Sequence, residues 1–454
     1  MRAIEATPVW NIIKKIIQNK SSKSKYQYVG KFHTKLIDRE VFKILTIDDL
    51  RDYASRLCPY VQIEILIGLG DYVYDFYPFR HNLEFSISRR LVNEVTGGGV
   101  PNKDTLIERY KVVFLSELNP EPVGSEYARM SQQMLNTKKV ISVKIQLLNR
   151  SFEPLRIKAI GGCFRDCSYQ DLIRASFETE SVRVLVDGQP SISMIDIVEP
   201  DNKTIMKNIV LKQGLKLTSL PSFLQNNLAG VYNAGIGTFI QRYKEKMGWY
   251  IYPLYRQSRV GSNIPNMIFY TVPTERYQGS EYTHLTEGNT THVLISGNKE
   301  FSDSAEVDFM VEGSGFRLTD PRSFMTKPVE MTNDGPVGLR HRVNTEVLML
   351  SREDGLDYSP VTKSAMSVNA FKEYSDVLSR SGSVINLSWQ YSDPDLIYPG
   401  MNCKIAYLEE NTVKYRVGVI LQTHSYTALG AVNANSKNHI TTTAVSIFLE
   451  KEKS

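Results

Sequence analysis

The stretch 219–255, SLPSFLQNNLAGVYNAGIGTFIQRYKEKMGWYIYPLY, runs from a helix-like approach into a dense aromatic strand. From Phe239 to Tyr255 it holds six aromatic and three basic residues and no catalytic constellation. Alternation places Trp249, Ile251 and Pro253 on one face of the strand, with Tyr250, Tyr252 and Leu254 on the other. Both faces are apolar or half-polar. Such a strand is either buried on both sides or has one side pressed on a partner. Large aromatics in a cluster of this kind fill a core or anchor a contact with another chain. Trp249, Tyr250, Tyr252 and Tyr255, together with Trp10 near the N-terminus, are therefore the candidate partner-interface residues.

The rest of the chain is read outward from that strand. A length of 454 residues is too great for one ordinary domain and suits about three. A composition 42% hydrophobic and 23% charged is that of a folded protein, not a disordered one. Tyr outnumbers Phe by 25 to 18, and tyrosine suits half-wet surfaces, so many strands are expected to show one face to solvent or a partner. The net charge of +5 is mild and argues against a dedicated nucleic-acid binder. Its one local excess is Lys14, Lys15, Lys20, Lys23 and Lys25. Those lysines read as a solvated helix end or, in a third class of function, as a nucleic-acid contact.

Cys58, Cys163, Cys167 and Cys403 are too scattered for a disulfide framework, which favours a reducing compartment. No run is apolar enough to span a membrane, and the N-terminus lacks the apolar core of a secretory signal. The expectation is a protein made soluble in the cytoplasm, without a membrane anchor.

Thr7 and Pro8 open an amphipathic helix with Val9, Ile12, Ile13, Ile16 and Ile17 at helical spacing, docked on its own domain or gripping a neighbour. From Tyr26 the pattern is β. Val61 to Ile67 alternates, 68–71 (GLGD) turns, Tyr72 to Tyr77 is expected to pair back as a strand, and further strands follow near 82–88 and 109–118. These make a small antiparallel barrel or sandwich. Ser125 to Thr137 reads as a polar helical connector, and a second β unit is expected to begin at Lys139. Ser168 caps a helix over 169–178, and 182–186 is a strand before a tight Asp187-Gly188 turn. Residues 302–343 are rich in turn-formers and read as a long irregular region that wraps a neighbour, with a helix expected over 368–381. Alternation at Met401, Cys403, Ile405 and Tyr407, then 414–424 and 440–450, gives a C-terminal β unit.

Candidate chemistry is thin. Cys163 and Cys167 have ligand-like spacing, but no second close pair completes a metal site, and three intervening residues do not make a thioredoxin motif. His284 and His292 flank a turn, and the seven histidines otherwise scatter. Ser262 is no nucleophile elbow. The glycine pairs Gly68/Gly70 and Gly235/Gly237 lack the rest of a nucleotide fingerprint. Asp303, Glu306 and Asp308 lack the spacing of a calcium loop. No catalytic, cofactor or metal residue is assigned, and the chain is read as no enzyme.

Five stretches carry a family resemblance: EILIGLGDYVYDFYPFRHNLEFSISRR, LLNRSFEPLRIKAIGGCFRDCSYQDLI, DNKTIMKNIVLKQGLKLTSLPSFLQ, MGWYIYPLY, and YPGMNCKIAY with VGVILQTHSY. In these the chain resembles the baseplate hub proteins of contractile-tailed bacteriophages. The resemblance implies two small pseudo-equivalent β-barrels with α/β insertions, in a homotrimer that forms a nearly six-fold ring. It also implies a central spike protein and the tail tube or its initiator proteins as partners, with phage DNA passing through the lumen without specific binding. The place implied is the virion tail baseplate, and a lumen of this kind should avoid strong positive charge. The basic N-terminus and residues 302–343 depart from the family pattern.

The expected class is mainly β with α/β insertions (α+β). The expected divisions are a helix and basic segment over 1–25, a first barrel over 26–125 and a second over 126–215. An aromatic α/β segment with long loops over 216–343 and a C-terminal β unit over 344–454 complete the scheme. The competing class is a tail-associated cell-wall hydrolase, or another enzyme with an unrecognised site.

Overall fold

Alternating apolar and polar residues drive most of the chain into strands, and the register of those strands decides what closes on what. The computed structural model describes residues 8–18, 26–34, 38–91, 106–115, 140–186, 189–243, 246–259, 264–272, 283–296, 300–302, 316–319, 346–349, 375, 379, 382–409, 412–430 and 439–449. These residues are mainly β with a few helices.

Helix α1 (Pro8–Gln18) lays Val9, Ile13 and Ile16 into a small core with Tyr270, Leu294 and Ala406. The amphipathic N-terminus thus docks on its own chain. Strands β1 (Tyr26–His33), β2 (Asp38–Glu40), β3 (Lys43–Asp52), β4 (Tyr60–Gly68), β5 (Glu84–Leu91), β6 (Leu106–Phe114) and β7 (Val140–Asn149) come next. They pair antiparallel in the order β3-β4-β7-β6-β5-β1, with β2 beside β1. Inside lie Phe32, Phe85, Ile63, Ile65, Val112 and Ile145.

The α/β unit follows: α2 (Glu153–Arg156), β8 (Ala159–Cys167), α3 (Tyr169–Ser181), β9 (Leu185–Val186), β10 (Gln189–Pro190), β11 (Met194–Ile197), β12 (Met206–Lys216), α4 (Leu220–Asn227), β13 (Ile236–Tyr243) and β14 (Lys246–Pro253). Ser168 and Asp171 cap α3 reciprocally, each side chain taking the other's backbone N–H. β8 and β12 form a two-stranded ribbon, and β11-β14-β13 a three-stranded sheet.

The last strands are β15 (Asn266–Val272), β16 (His284–Glu287), β17 (Thr290–Ser296), β18 (Glu300–Ser302), β19 (Phe316–Thr319), β20 (Glu346–Met349), β21 (Ser383–Gln390), β22 (Asn402–Glu409), β23 (Thr412–Leu429) and β24 (His439–Leu449). Among the described residues β19 and β20 pair with each other alone. β23 pairs with β3 on one side, while β24 meets β1 at Tyr26↔His439, and β23 and β24 pair together. The ladder β23-β3-β4-β7-β6-β5-β1-β24 therefore returns on itself. On the other side β23 leads to β22, β15, β17 and β16, β24 leads to β21 and β18, and β17 lies beside β21. Both sets of pairings run through β23 and β24.

The structure corrects three expectations. Residues 140–149 do not open a second unit, because Val143, Ile145 and Leu147 are in register with the buried side of β4 (Ile63↔Ile145) and complete the first ladder. Residues 150–215 instead share one core with 216–251, in which Phe177, Leu172, Leu211, Leu224 and Trp249 meet. Tyr72 to Tyr77 is not a strand: Asp71–Phe76 is a π-helical segment followed by a 3-10 turn over Tyr77–Phe79. Tyr72 and Phe76 need a shared face to reach the core inside the first ladder, and a helical turn supplies it where alternation would not. The expected connector over 125–137, the helix over 368–381 apart from Ser375 and Ser379, and most of 302–343 lie outside the described residues.

Candidate partner interface

The aromatic strand β14 is a wall between two cores. Met247, Trp249 and Ile251 point into the core of the α/β unit, and Tyr250, Tyr252 and Leu254 into the core built on β15, β21, β22 and β24. Trp249 is fully buried, edge-on to Phe177 with ring centroids 4.8 Å apart. The Tyr252 hydroxyl donates to the Tyr53 carbonyl at 2.8 Å, tying β14 to the end of β3. Burial pushes the Tyr250 and Tyr252 phenols above their ordinary values. Trp249, Tyr250 and Tyr252 are thus corrected from partner contacts to core. With apolar side chains on both faces and a neighbouring strand on each edge, β14 has no side left for another chain.

Tyr255 and Trp10 keep part of their surface. Tyr255 is half-buried against Phe448, with ring centroids 5.2 Å apart. Trp10 is half-buried on α1, with the Lys14 ammonium 5.8 Å from its ring centroid. Lys15, from the basic run, reaches Glu287 at 3.1 Å.

Sequence reasoning missed a buried charge cluster, whose members lie far apart in the chain. Interior positions of β3 and β5 carry Arg51 and Arg89, and the turn over 393–396 pushes Asp393 and Asp395 between them. Arg51 Nη2 meets Asp49 Oδ2 and Asp395 Oδ1, each at 2.8 Å. Arg89 Nη1 meets Asp395 Oδ2 at 2.8 Å and Asp393 Oδ1 at 3.0 Å. Tyr26 donates to Asp393 at 2.9 Å, and Ser392 bonds Thr443 at 2.6 Å. Nearby, Arg242 of β13 reaches Glu108 of β6 at 2.9 Å, pinning the α/β unit to the first ladder.

Burial would lift the Asp395 carboxyl, yet Arg51 and Arg89 together hold it below the usual carboxylate range. Burial wins at Asp49 and Glu108, whose carboxyls are raised despite their arginines. Burial also opposes the Arg51 charge, but Asp49 and Asp395 outweigh it and hold the guanidinium well above its ordinary value. Each of the three aspartates meets a guanidinium, so the cluster cements segment 392–396 into the mouth of the first ladder.

The remaining sequence candidates do not converge. Cys163 is exposed on β8, while Cys167 is half-buried against the α/β core. His284 lies edge-on to Trp389, and His292 bonds the Tyr270 hydroxyl at 2.9 Å. Among the described residues no group of three or more His, Cys, Asp or Glu side chains could hold a metal ion. No described helix is long and apolar enough to cross a membrane. Ser262 and Asp303 to Asp308 lie outside the described residues.

No protein-family model matches the sequence, and no curated protein matches it. Solved structures do align along most of its length. The 43 kDa tail protein of prophage MuSo2 from Shewanella oneidensis aligns over 92% of this chain and 98% of its own, with 9% identity and a TM-score of 0.46. A tail protein from Neisseria meningitidis MC58 aligns over 93% and 96%, with 6% identity and a TM-score of 0.44. An E. coli component of the type VI secretion system, described as structurally similar to the T4 bacteriophage tail proteins gp27 and gp5, aligns over 89% and 73%, with 8% identity and a TM-score of 0.39. The chain is similar to phage tail proteins and to a secretion-system protein that is itself likened to them.

Proposed function

We propose that the chain is the structural hub of a phage tail baseplate, three copies of which form a pseudo-six-fold ring between a central spike and the tail tube. The observation that carries this reading is the double set of strand pairings through β23 and β24. Two adjoining barrels sharing two strands would give one polypeptide two similar outer walls, and three copies would then line a closed ring with twice that number. Among the described residues the terminal strands β16 and β18 have a partner strand on one side only, and such an edge would offer main-chain hydrogen bonds to a neighbour without any special side chain.

A second feature supports passage of DNA through such a ring. The outward positions of β21, β24, β23 from Gln422 to Ala428, β3 and β4 carry residues such as Ser388, Thr442, Ala444, Gln422, Tyr426 and Gln62, and among these described positions Lys43, in register with Leu66 at the start of β3, is the one Lys or Arg. In a chain of net charge +5, a broad sheet face with one cation, at the end of one strand, would let a polyanion slide past with little grip. The half-buried Trp10 and Tyr255 remain the aromatic candidates for contact with a partner.

Size-exclusion chromatography with light scattering tests the reading. The expected species is a trimer at micromolar concentration, alone or with the spike protein added. A chain that stays monomeric under both conditions overturns it.

A further inference from the structure

Arg259 lies just beyond β14, at the seam where the α/β unit meets β22, and its guanidinium is only half used. Nη1 donates to Asp196 Oδ2 of β11 at 2.6 Å, and the guanidinium carbon sits 5.6 Å from the centroid of the Tyr398 ring. Nε and Nη2 are buried with no hydrogen-bond partner among the described residues. These two atoms make one edge of the planar group, the edge that pairs side-on with both oxygens of a carboxylate.

The Tyr250 hydroxyl is buried in the same seam and likewise lacks a partner among the described residues, although the residue is only 2% exposed. Its ring lies 6.1 Å from that of Tyr398, and Asp196 and Arg259 both act on its ionisation. A buried donor left without an acceptor is costly, because it has given up its bond to water for nothing. Three donor atoms in one seam therefore point to an absent acceptor. One water has two lone pairs and cannot serve all three.

We propose that this seam is a carboxylate-binding site, the ligand accepting side-on from Arg259 Nε and Nη2 and from the Tyr250 hydroxyl. Charge favours a carboxylate over a phosphate dianion. Arg259 is already balanced by Asp196, so a monoanion adds one buried negative charge and a dianion two. Asn402, whose amide nitrogen donates to the Arg259 carbonyl, keeps its own oxygen unpartnered. The seam can thus also take an N–H, as a carboxylate carried on a peptide would offer.

Calorimetric titration of the full chain with sodium acetate and with sodium N-acetylglycinate, against sodium chloride at matched ionic strength, tests the site. Acetate stands for a free acid and N-acetylglycinate for a chain-borne one, and the tighter of the two names the source. Saturable binding of at least one carboxylate, absent for chloride, is expected. Tyr250→Phe should weaken it about tenfold and Arg259→Gln abolish it. Should Arg259→Gln not fold, Tyr250→Phe alone decides. A wild-type response no different from chloride, or equal binding by wild type and Tyr250→Phe, overturns the proposal.

Discussion

Arg51 and Asp395, 344 positions apart in the chain, are joined at 2.8 Å between Nη2 and Oδ1, and the other Asp395 oxygen is held at 2.8 Å by Arg89. One carboxylate thus bridges two guanidiniums from two strands of the first ladder. The Asp395 side chain is 32% exposed, so water screens part of the interaction. Asp395→Asn keeps the shape and removes the charge that bridges the two arginines, leaving Arg51 with Asp49 alone and Arg89 with Asp393 alone. It should lower stability by about 2 kcal/mol, read from the urea midpoint. A change within error of zero would show that the bridge contributes nothing.

Trp249 and Tyr252 separate a core role from a contact role. Trp249→Ala removes a fully buried indole and should cost about 3–5 kcal/mol. Tyr252→Phe loses only the hydrogen bond to the Tyr53 carbonyl and should cost about 1 kcal/mol. Neither substitution should change the oligomeric state of chains that remain folded. A variant that melts like wild type but falls apart into smaller species would put these rings back at an interface.

Burial holds the His284 imidazole below its ordinary pKa, against an opposing pull from Asp393, and burial does the same at His292. The unfolded chain then takes up protons before the folded one does. The contribution of these groups is intact above about pH 6.5 and is lost as pH falls from there towards the folded values. His284→Gln should flatten the decline in stability between pH 7 and pH 5, read from urea midpoints at the two pH values. Parallel declines in wild type and variant would contradict this.

The local grammar of the chain was legible, and its long-range pairing was not. Alternation announced β4, β22, β23 and β24, Thr7-Pro8 announced α1, and Ser168 announced α3. Residues 140–149 read as a strand but were assigned to the wrong neighbour, because an alternating segment carries its buried side in sequence and its partner only in space. Residues 72–77 misled because aromatics suit strands and helices alike. The both-faces-apolar pattern of β14 was visible, yet whether its second side met this chain or another depended on a core that draws in Tyr53 and the strands from Ile385 to Leu449, each more than a hundred positions away. For the same reason no spacing could reveal the cluster of Arg51, Arg89 and Asp395.

The meeting of Tyr26 with His439 has a consequence during synthesis. While the ribosome works through the intervening sequence, β1 and β3 have already emerged but lack the strands that close their ladder. A nascent chain must therefore keep an unfinished sheet, open along β3 and at the Tyr26 end of β1, until β23 and β24 arrive. Chaperone shelter during translation, more than any later step, would then govern how much of this protein reaches its native form.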